Sequence, residues 1–301
     1  MSNEAAAPLT EGAAETRNSL TQDIIILVKL RMGLLAAIIA LAGYYMGSMG
    51  PVSLSGMLHV FFGTWIVSAG AFLLNMYIER DVDAQMTRTA TRPLPAKRVA
   101  APPVFVSGII VSLIGVGYLW FTTNLLAAAA GAVAMAGYVF VYTPLKRVTT
   151  LNTIVGSFPG AMPPIIGWAA AANELSAGAI VMFMILFLWQ VPHFLALAWM
   201  YRDEYREAGF AMISGNDPDG SFTTTQNLIY GVCYILVTLL PTFFKMAGFW
   251  YLGVALISGL WFLWLCVRWF KNRERKFAVQ VFVATLFHAP LLYIVMVLDK
   301  L

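Results

Sequence analysis

The sequence predicts an all-α integral membrane protein, a bundle of about nine transmembrane helices. Three observations carry this. Of 301 residues, 60% are hydrophobic and only 11% are charged, less than half the charged share of an ordinary soluble domain. The apolar residues form long continuous runs rather than the alternating pattern of barrel strands. The basic residues gather in every second interval between those runs. A soluble globule of this size has no means of hiding so much apolar surface, and a disordered chain would not carry it. The net charge of +4 is too small and too dispersed for a nucleic-acid binder.

Residues 1–22 are polar and Ala-rich, with Glu4, Glu11 and Glu15 but a single base, Arg17. That composition fits neither an Arg-rich transit peptide nor a cleavable signal, so a cytoplasmic tail is expected there. Residues 23–301 are expected to form one membrane domain. A crossing helix needs about 20 mostly apolar residues. Nine stretches qualify, at 24–48, 56–78, 102–122, 124–143, 152–171, 176–200, 226–245, 248–270 and 277–298. The first carries Lys29 and Arg31. The second begins near His59. The fifth, with Pro144 before it, Pro159, Pro163 and Pro164 and three glycines (Gly156, Gly160, Gly167), reads as kinked. The sixth carries Pro192 and His193, and the ninth carries His288 before Pro290. Cys233 and Cys266 sit inside apolar runs with no metal-type spacing and read as small buried hydrophobes. The stretch Gly215–Gly220 reads as a surface turn.

The loops after the second, fourth, sixth and eighth spans hold thirteen bases, among them Arg80, Arg88, Arg92, Lys97, Arg98, Lys146 and Arg147. The opposite loops and C-terminus hold Lys245 and Lys300. The positive-inside rule then places the N-terminus in the cytoplasm and the C-terminus outside, on a bacterial-type inner-membrane protein.

Six of the fifteen acids fall in two clusters. Glu79, Asp81 and Asp83 follow the second span; Asp203, Glu204 and Glu207 follow the sixth. Four spans separate them, so both lie on one membrane face. Asn75, Glu79 and Asp83 recur every fourth residue and share one stripe if the second helix continues. Asp203 and Glu207 share another, with Glu204 offset. Carboxylates one turn apart repel by about 3 kcal/mol at an effective dielectric near 20. Solvation, Arg80 and Arg202 are one offset; a divalent cation is another. Oxygen-only donors suit Mg²⁺, which is usually shared with substrate phosphates. Arg88, Arg92, Lys146, Arg147 and Lys29 then read either as a diphosphate clamp or as bases that only satisfy the orientation rule.

The run Asn75-Met-Tyr-Ile-Glu-Arg-Asp-Val-Asp83, continued by Arg88-Thr89 and Arg92-Pro-Leu-Pro95, resembles the first motif of the UbiA-type intramembrane prenyltransferases, in particular their haem-modifying branch. Tyr142-Thr-Pro-Leu-Lys-Arg147 with Asn152, Pro163-Pro-Ile-Ile-Gly-Trp168, Trp189-Gln-Val-Pro-His-Phe194 and Tyr201-Arg-Asp-Glu-Tyr-Arg-Glu-Ala-Gly209 are similar to that branch as well. The chain departs from the wider family at Glu79 and at Glu204-Tyr205, where aspartate is common, and at Lys29-Leu30-Arg31. The first two departures keep a carboxylate.

The resemblance implies nine helices around a central cavity open to the cytoplasmic side and to lipid. It implies transfer of a farnesyl group from farnesyl diphosphate to a vinyl group of protohaem IX. It implies Mg²⁺ held by Asn75, Glu79, Asp83, Asp203, Glu204 and Glu207, with Lys29, Arg88, Arg92, Lys146 and Arg147 on the diphosphate. Contact with haem-pathway or cytochrome-oxidase assembly proteins is a further expectation. Tyr142, Trp168 and Trp189 are candidates to line the path of an allylic cation. His193 and His288 are candidate haem contacts, against the alternative of hydrogen-bonded polar groups between helices. Two other functions fit part of the pattern: a prenyltransferase for an aromatic or quinone-precursor acceptor, and a haem transporter or chaperone.

Overall fold

The computed structural model describes residues 19–301, so the tail expected at 1–22 lies, as far as residue 18, outside the described residues. Among the described residues, nine helical stretches are long and apolar enough to cross a membrane, and they fall on the nine runs read above.

The first span is not one helix. α1 (Leu20–Leu27) starts in a capping box, in which the Ser19 hydroxyl accepts from the Gln22 N–H and the Gln22 side chain accepts from the Ser19 N–H. The chain then breaks at Lys29, whose φ of 44° lies in the left-handed region, and α2 (Leu30–Gly47) starts afresh. That conformation costs a non-glycine residue about 1–2 kcal/mol. α3 (Leu54–Asp83) is capped by Ser53 and runs five residues beyond the expected span, through the whole first acidic motif. α4 (Ala101–Thr122) packs closely on α3, because Gly70 meets Ser112 and Gly115 meets Val67 with no side chain between.

α5 (Leu125–Ala136), capped by Asn124, passes into a π-helical turn at Gly137–Tyr142 and then α6 (Thr143–Leu145). Pro144 has no N–H to give the preceding turn, which interrupts the α-helical ladder there. α7 (Asn152–Gly160) and α8 (Pro163–Ala172) form the fifth span, broken at Ala161–Met162 as its prolines predict. α8 lies directly on α2. A methyl added at Gly167 would overlap the Ala40 carbonyl, and one at Gly43 the Pro164 backbone. Gly167→Ala is therefore expected to push α2 and α8 apart. Overpacking costs about 1–3 kcal/mol, which would appear as a lowered unfolding midpoint in detergent.

α9 (Ala177–Met200) is the central helix, in contact with α7, α8, α11 and α14. After it come α10 (Arg202–Glu207), α11 (Ser221–Thr238), α12 (Leu240–Phe243), α13 (Phe249–Asn272) and α14 (Arg275–Leu298). α11 begins five residues before the expected span because the preceding turn caps it. Asp217 is buried, not on the surface, and its carboxylate accepts from the N–H groups of Phe222 and Thr223. Asp219 is exposed, bonded to Ser221 and paired with Arg273; the Ser221 bonds hold its carboxyl below the usual carboxylate range. Cys266 is buried as expected, but Cys233 is exposed, on an outer face of α11.

At the far end of the bundle the Lys300 ammonium donates to the carbonyls of Tyr45 (2.7 Å) and Ser48 (2.6 Å). Asp299 accepts from the N–H of Tyr251. These bonds join the ends of α2 and α14 to the start of α13. Between α2, α9 and α14 lies an apolar cavity of about 360 Å³, lined by Leu35, Ile39, Tyr45, Trp189 and Tyr293. Its rim residues Ile38, Ile294 and Leu298 face outward, so it opens sideways.

Candidate active site

The continuation of α3 is what makes the site. Asn75, Glu79 and Asp83 project from successive turns, and all three are buried. Each meets a base from a different segment. Lys29, turned inward by its left-handed backbone, donates to Asn75 Oδ1 at 2.8 Å. Lys146, from the loop after the π-helical turn, donates to Glu79 Oε1 at 2.6 Å. Arg92 donates to Asp83 Oδ2 at 2.6 Å. The Thr89 hydroxyl donates to the Asp83 carbonyl, which folds the loop carrying Arg92 back over the helix end. A stripe of oxygen donors thus faces a matching row of cations. Taking such groups out of water is costly unless each finds a partner, and here each does.

Aromatic rings surround this row. The Lys29 ammonium lies 5.2 Å from the Phe72 ring centroid and donates to the Tyr138 hydroxyl at 3.4 Å. The Lys146 ammonium lies 4.6 Å from the Tyr142 ring centroid. Asp81, by contrast, is exposed and pairs with Arg80.

The second motif meets the first, though by a different face than its spacing predicts. The helix breaks at Tyr201, and α10 with its two flanking residues presents Tyr201, Glu204, Tyr205 and Ala208 to the protein. Asp203 is exposed and pairs with Arg206 at 3.0 Å, and Glu207 is exposed as well. Glu204 is half-buried, with one carboxylate oxygen buried and without a hydrogen-bond partner among the described residues. Arg88 links the motifs: it donates to the Tyr205 hydroxyl at 3.3 Å and stacks over Tyr201. Beneath it Val82 and Met86 pack on Ala198, Ala208, Phe210 and Met212. The Ala211 N–H donates to the Lys146 carbonyl, and Asn152 donates to the Ala211 carbonyl, so the two loops are tied together. Tyr142 and Tyr205 line one cavity of about 70 Å³ between them. Arg147 is exposed and outside this arrangement.

The histidines and tryptophans lie elsewhere. His193, on α9, is held between the rings of Trp189 and Phe282, its Nδ1 2.8 Å from the Thr285 hydroxyl. Trp189 lines the apolar cavity. His288 is buried against Phe262, with its Nδ1 2.7 Å from the Tyr234 hydroxyl. Trp168 packs against Gly47 and Gly178 at the far end of the bundle, away from the acidic motifs.

Three participants were not singled out by sequence reasoning. Phe72 and Tyr138 carry no local signal. Thr143 lies within the Tyr142–Arg147 motif, but nothing in the spacing shows what its hydroxyl holds. Asn75, Glu79 and Asp83 offer oxygen donors only, as does Glu204 of the second motif, the donor type that suits a hard cation such as Mg²⁺. Among the described residues no three acids, histidines or cysteines converge into a metal site by themselves.

Buried carboxylates matched by cations at one end of an apolar bundle are the arrangement of a membrane protein that handles an anionic head on an apolar body. The chain belongs to the UbiA prenyltransferase family, whose sequence model matches residues 36–291, and it is a multi-pass membrane protein. It is 41% identical over 288 residues to the protoheme IX farnesyltransferase of Solibacter usitatus, covering 93% of this chain and 99% of that protein. It is 39% identical over 280 residues to that of Salinibacter ruber, covering 92% and 98%. A solved structure of a digeranylgeranylglyceryl phosphate synthase matches with a TM-score of 0.79 at 15% identity, over 93% of this chain and 98% of that one. A UbiA homologue from Archaeoglobus fulgidus bound to GPP and Mg²⁺ matches with a TM-score of 0.62 at 12% identity, over 91% and 99%. These two likenesses show the fold.

Proposed function

We propose that the protein transfers a farnesyl group from farnesyl diphosphate to a vinyl group of protohaem IX, giving haem O and diphosphate. The observation that carries this is identity of 32–41% to protoheme IX farnesyltransferases along nearly the whole chain. The acid–base row supplies the chemistry. Asn75, Glu79, Asp83 and Glu204 would hold Mg²⁺, which when bound neutralises the charge left on the departing diphosphate. Lys29, Lys146 and Arg92 are the diphosphate clamps, with Arg88 beside them. In the reaction the allylic C–O bond breaks, a C–C bond forms to the vinyl carbon, and water adds to the resulting cation with loss of a proton. The aromatic faces of Phe72, Tyr138 and Tyr142 stabilise positive charge near the phosphates. The sideways apolar cavity, lined by apolar and aromatic side chains, suits an isoprenoid tail. His193 is the residue we assign to haem contact. Both histidines are bonded to a hydroxyl, but His288 is 2% exposed whereas His193 is partly accessible; His288 and the exposed Asp203, Glu207 and Arg147 are left outside the reacting set.

Incubation of the purified protein with haem, farnesyl diphosphate and Mg²⁺ is expected to yield a farnesylated haem by mass spectrometry, with a saturable Soret shift on haem addition. Release of diphosphate with a phenolic acceptor and no haem product would instead assign the acceptor to the aromatic or quinone class. The loop charges support an inner-membrane orientation with the acidic motifs in the cytoplasm. A topology reporter fused after Val99 is expected to read cytoplasmic and one at the C-terminus external; both on one side would overturn that orientation.

A further inference from the structure

Asn75 is the neutral member of the donor stripe, and an amide serves a metal only by its oxygen. Two neighbours fix which way it points. Lys29, which can only donate, bonds Oδ1. Nδ2 donates to the Thr143 hydroxyl oxygen at 3.1 Å. The Thr143 hydroxyl proton is itself committed. It donates to the Tyr138 carbonyl at 2.8 Å, the same carbonyl that accepts the Thr143 backbone N–H across the π-helical turn. With its proton engaged, the Thr143 oxygen is left as an acceptor only, and it must be met by the amide nitrogen.

The two neighbours differ in one respect. Lys29 occupies the atom that a metal would take, so its bond competes with the metal. Thr143 holds the other end of the amide, so its bond survives when Oδ1 changes partner. Thr143 is buried, as is Asn75.

We propose that Thr143 is a positioning residue: with its hydroxyl locked onto the Tyr138 carbonyl by the π-helical turn, it aims the Asn75 oxygen into the diphosphate site. This rests on the metal reading of the first motif. The π-helical turn is then part of the site, since an α-helical turn would take the Thr143 N–H to a different carbonyl.

The test is Mn²⁺ binding in the presence of farnesyl thiodiphosphate, read by electron paramagnetic resonance of free Mn²⁺, so that turnover is not required. Thr143→Val keeps the shape and removes the hydroxyl. It is expected to weaken Mn²⁺ binding on the order of tenfold, the effect of one hydrogen bond, while Thr143→Ser stays within about twofold of the parent. The decisive comparison uses Asn75→Asp, whose two oxygens need no aiming. In that background Thr143→Val is expected to leave Mn²⁺ binding unchanged. An equal loss in both backgrounds, or no loss in either, overturns the positioning role. If the valine variant fails to fold, Thr143→Ala gives the same comparison. Asn75→Ala separates the two ideas: unaltered Mn²⁺ binding there removes the metal reading itself, whereas weakened binding there with a silent Thr143→Val removes only the proposal.

Discussion

Replacement of Asp83 by asparagine is expected to lower farnesyl transfer by about 10²–10³-fold, the usual loss when one preorganised electrostatic group is removed from a site. The exchange keeps the shape of the side chain, and the Asp83 carbonyl that anchors Thr89 is untouched, so the loop fold is preserved. What goes is a charge at a position 3% exposed, with Arg92 at 2.6 Å. The rate is measured per folded enzyme across a Mg²⁺ titration, where the variant should also need more Mg²⁺ for half-maximal activity. Arg92→Ala is the paired control. On the proposed reading it removes a phosphate ligand, and it also leaves the buried Asp83 unpaired; per folded enzyme it is expected to raise the farnesyl diphosphate requirement and to leave the haem-induced Soret shift intact. Parent-like turnover of Asp83→Asn at limiting Mg²⁺ would mean that the first motif does not bind the metal.

The second large effect is on stability as well as rate. Lys146→Met leaves Glu79 buried without its partner at 2.6 Å; the two side chains are 14% and 9% exposed. Breaking such a pair from one side costs about 3–5 kcal/mol, whereas removing both charges is often close to neutral. The single variant is therefore expected to unfold at a markedly lower temperature. Glu79→Gln combined with Lys146→Met should recover most of that loss, and neither protein should transfer farnesyl. Unfolding followed by tryptophan fluorescence in detergent, alongside product analysis, checks both halves. Recovery of activity in the double variant would remove Glu79 and Lys146 from the chemistry and leave them as a structural pair.

The spans were legible because hydropathy is a property of long windows, and a run such as 277–298 has no other solvent to go to. The fifth-span break was legible because Pro163 and Pro164 supply no N–H to the turn before them. The first stripe was legible for a related reason: α3 continues, and Asn75, Glu79 and Asp83 stay in register. The second motif obeyed the same period from a different starting angle. The break at Tyr201 rotates α10, so Glu204 turns inward while Asp203 and Glu207 face out, and spacing alone carries no phase. Lys29 was harder still. It reads as a candidate clamp, but its partner carries no sequence signal; only the packed neighbours show that its left-handed backbone sends the ammonium inward to Asn75. The π-helical turn and the role of Asp217 as a cap are likewise set by partners distant or unmarked in sequence.

The bonds from Lys300 to Tyr45 and Ser48 have a bearing on biosynthesis. They span more than 250 residues, and a ribosome makes one end of that contact long before the other. While the middle of the chain is being inserted, the sideways cavity has a wall at α2 but none at α14. The first span must then wait in the bilayer for its last neighbour, held meanwhile by its close fit to α8 through Gly43 and Gly167. Closure of this cavity thus waits until α14 has been inserted. A chain stalled before α14 would hold both acidic motifs and most of the bundle, yet leave this cavity unwalled on one side.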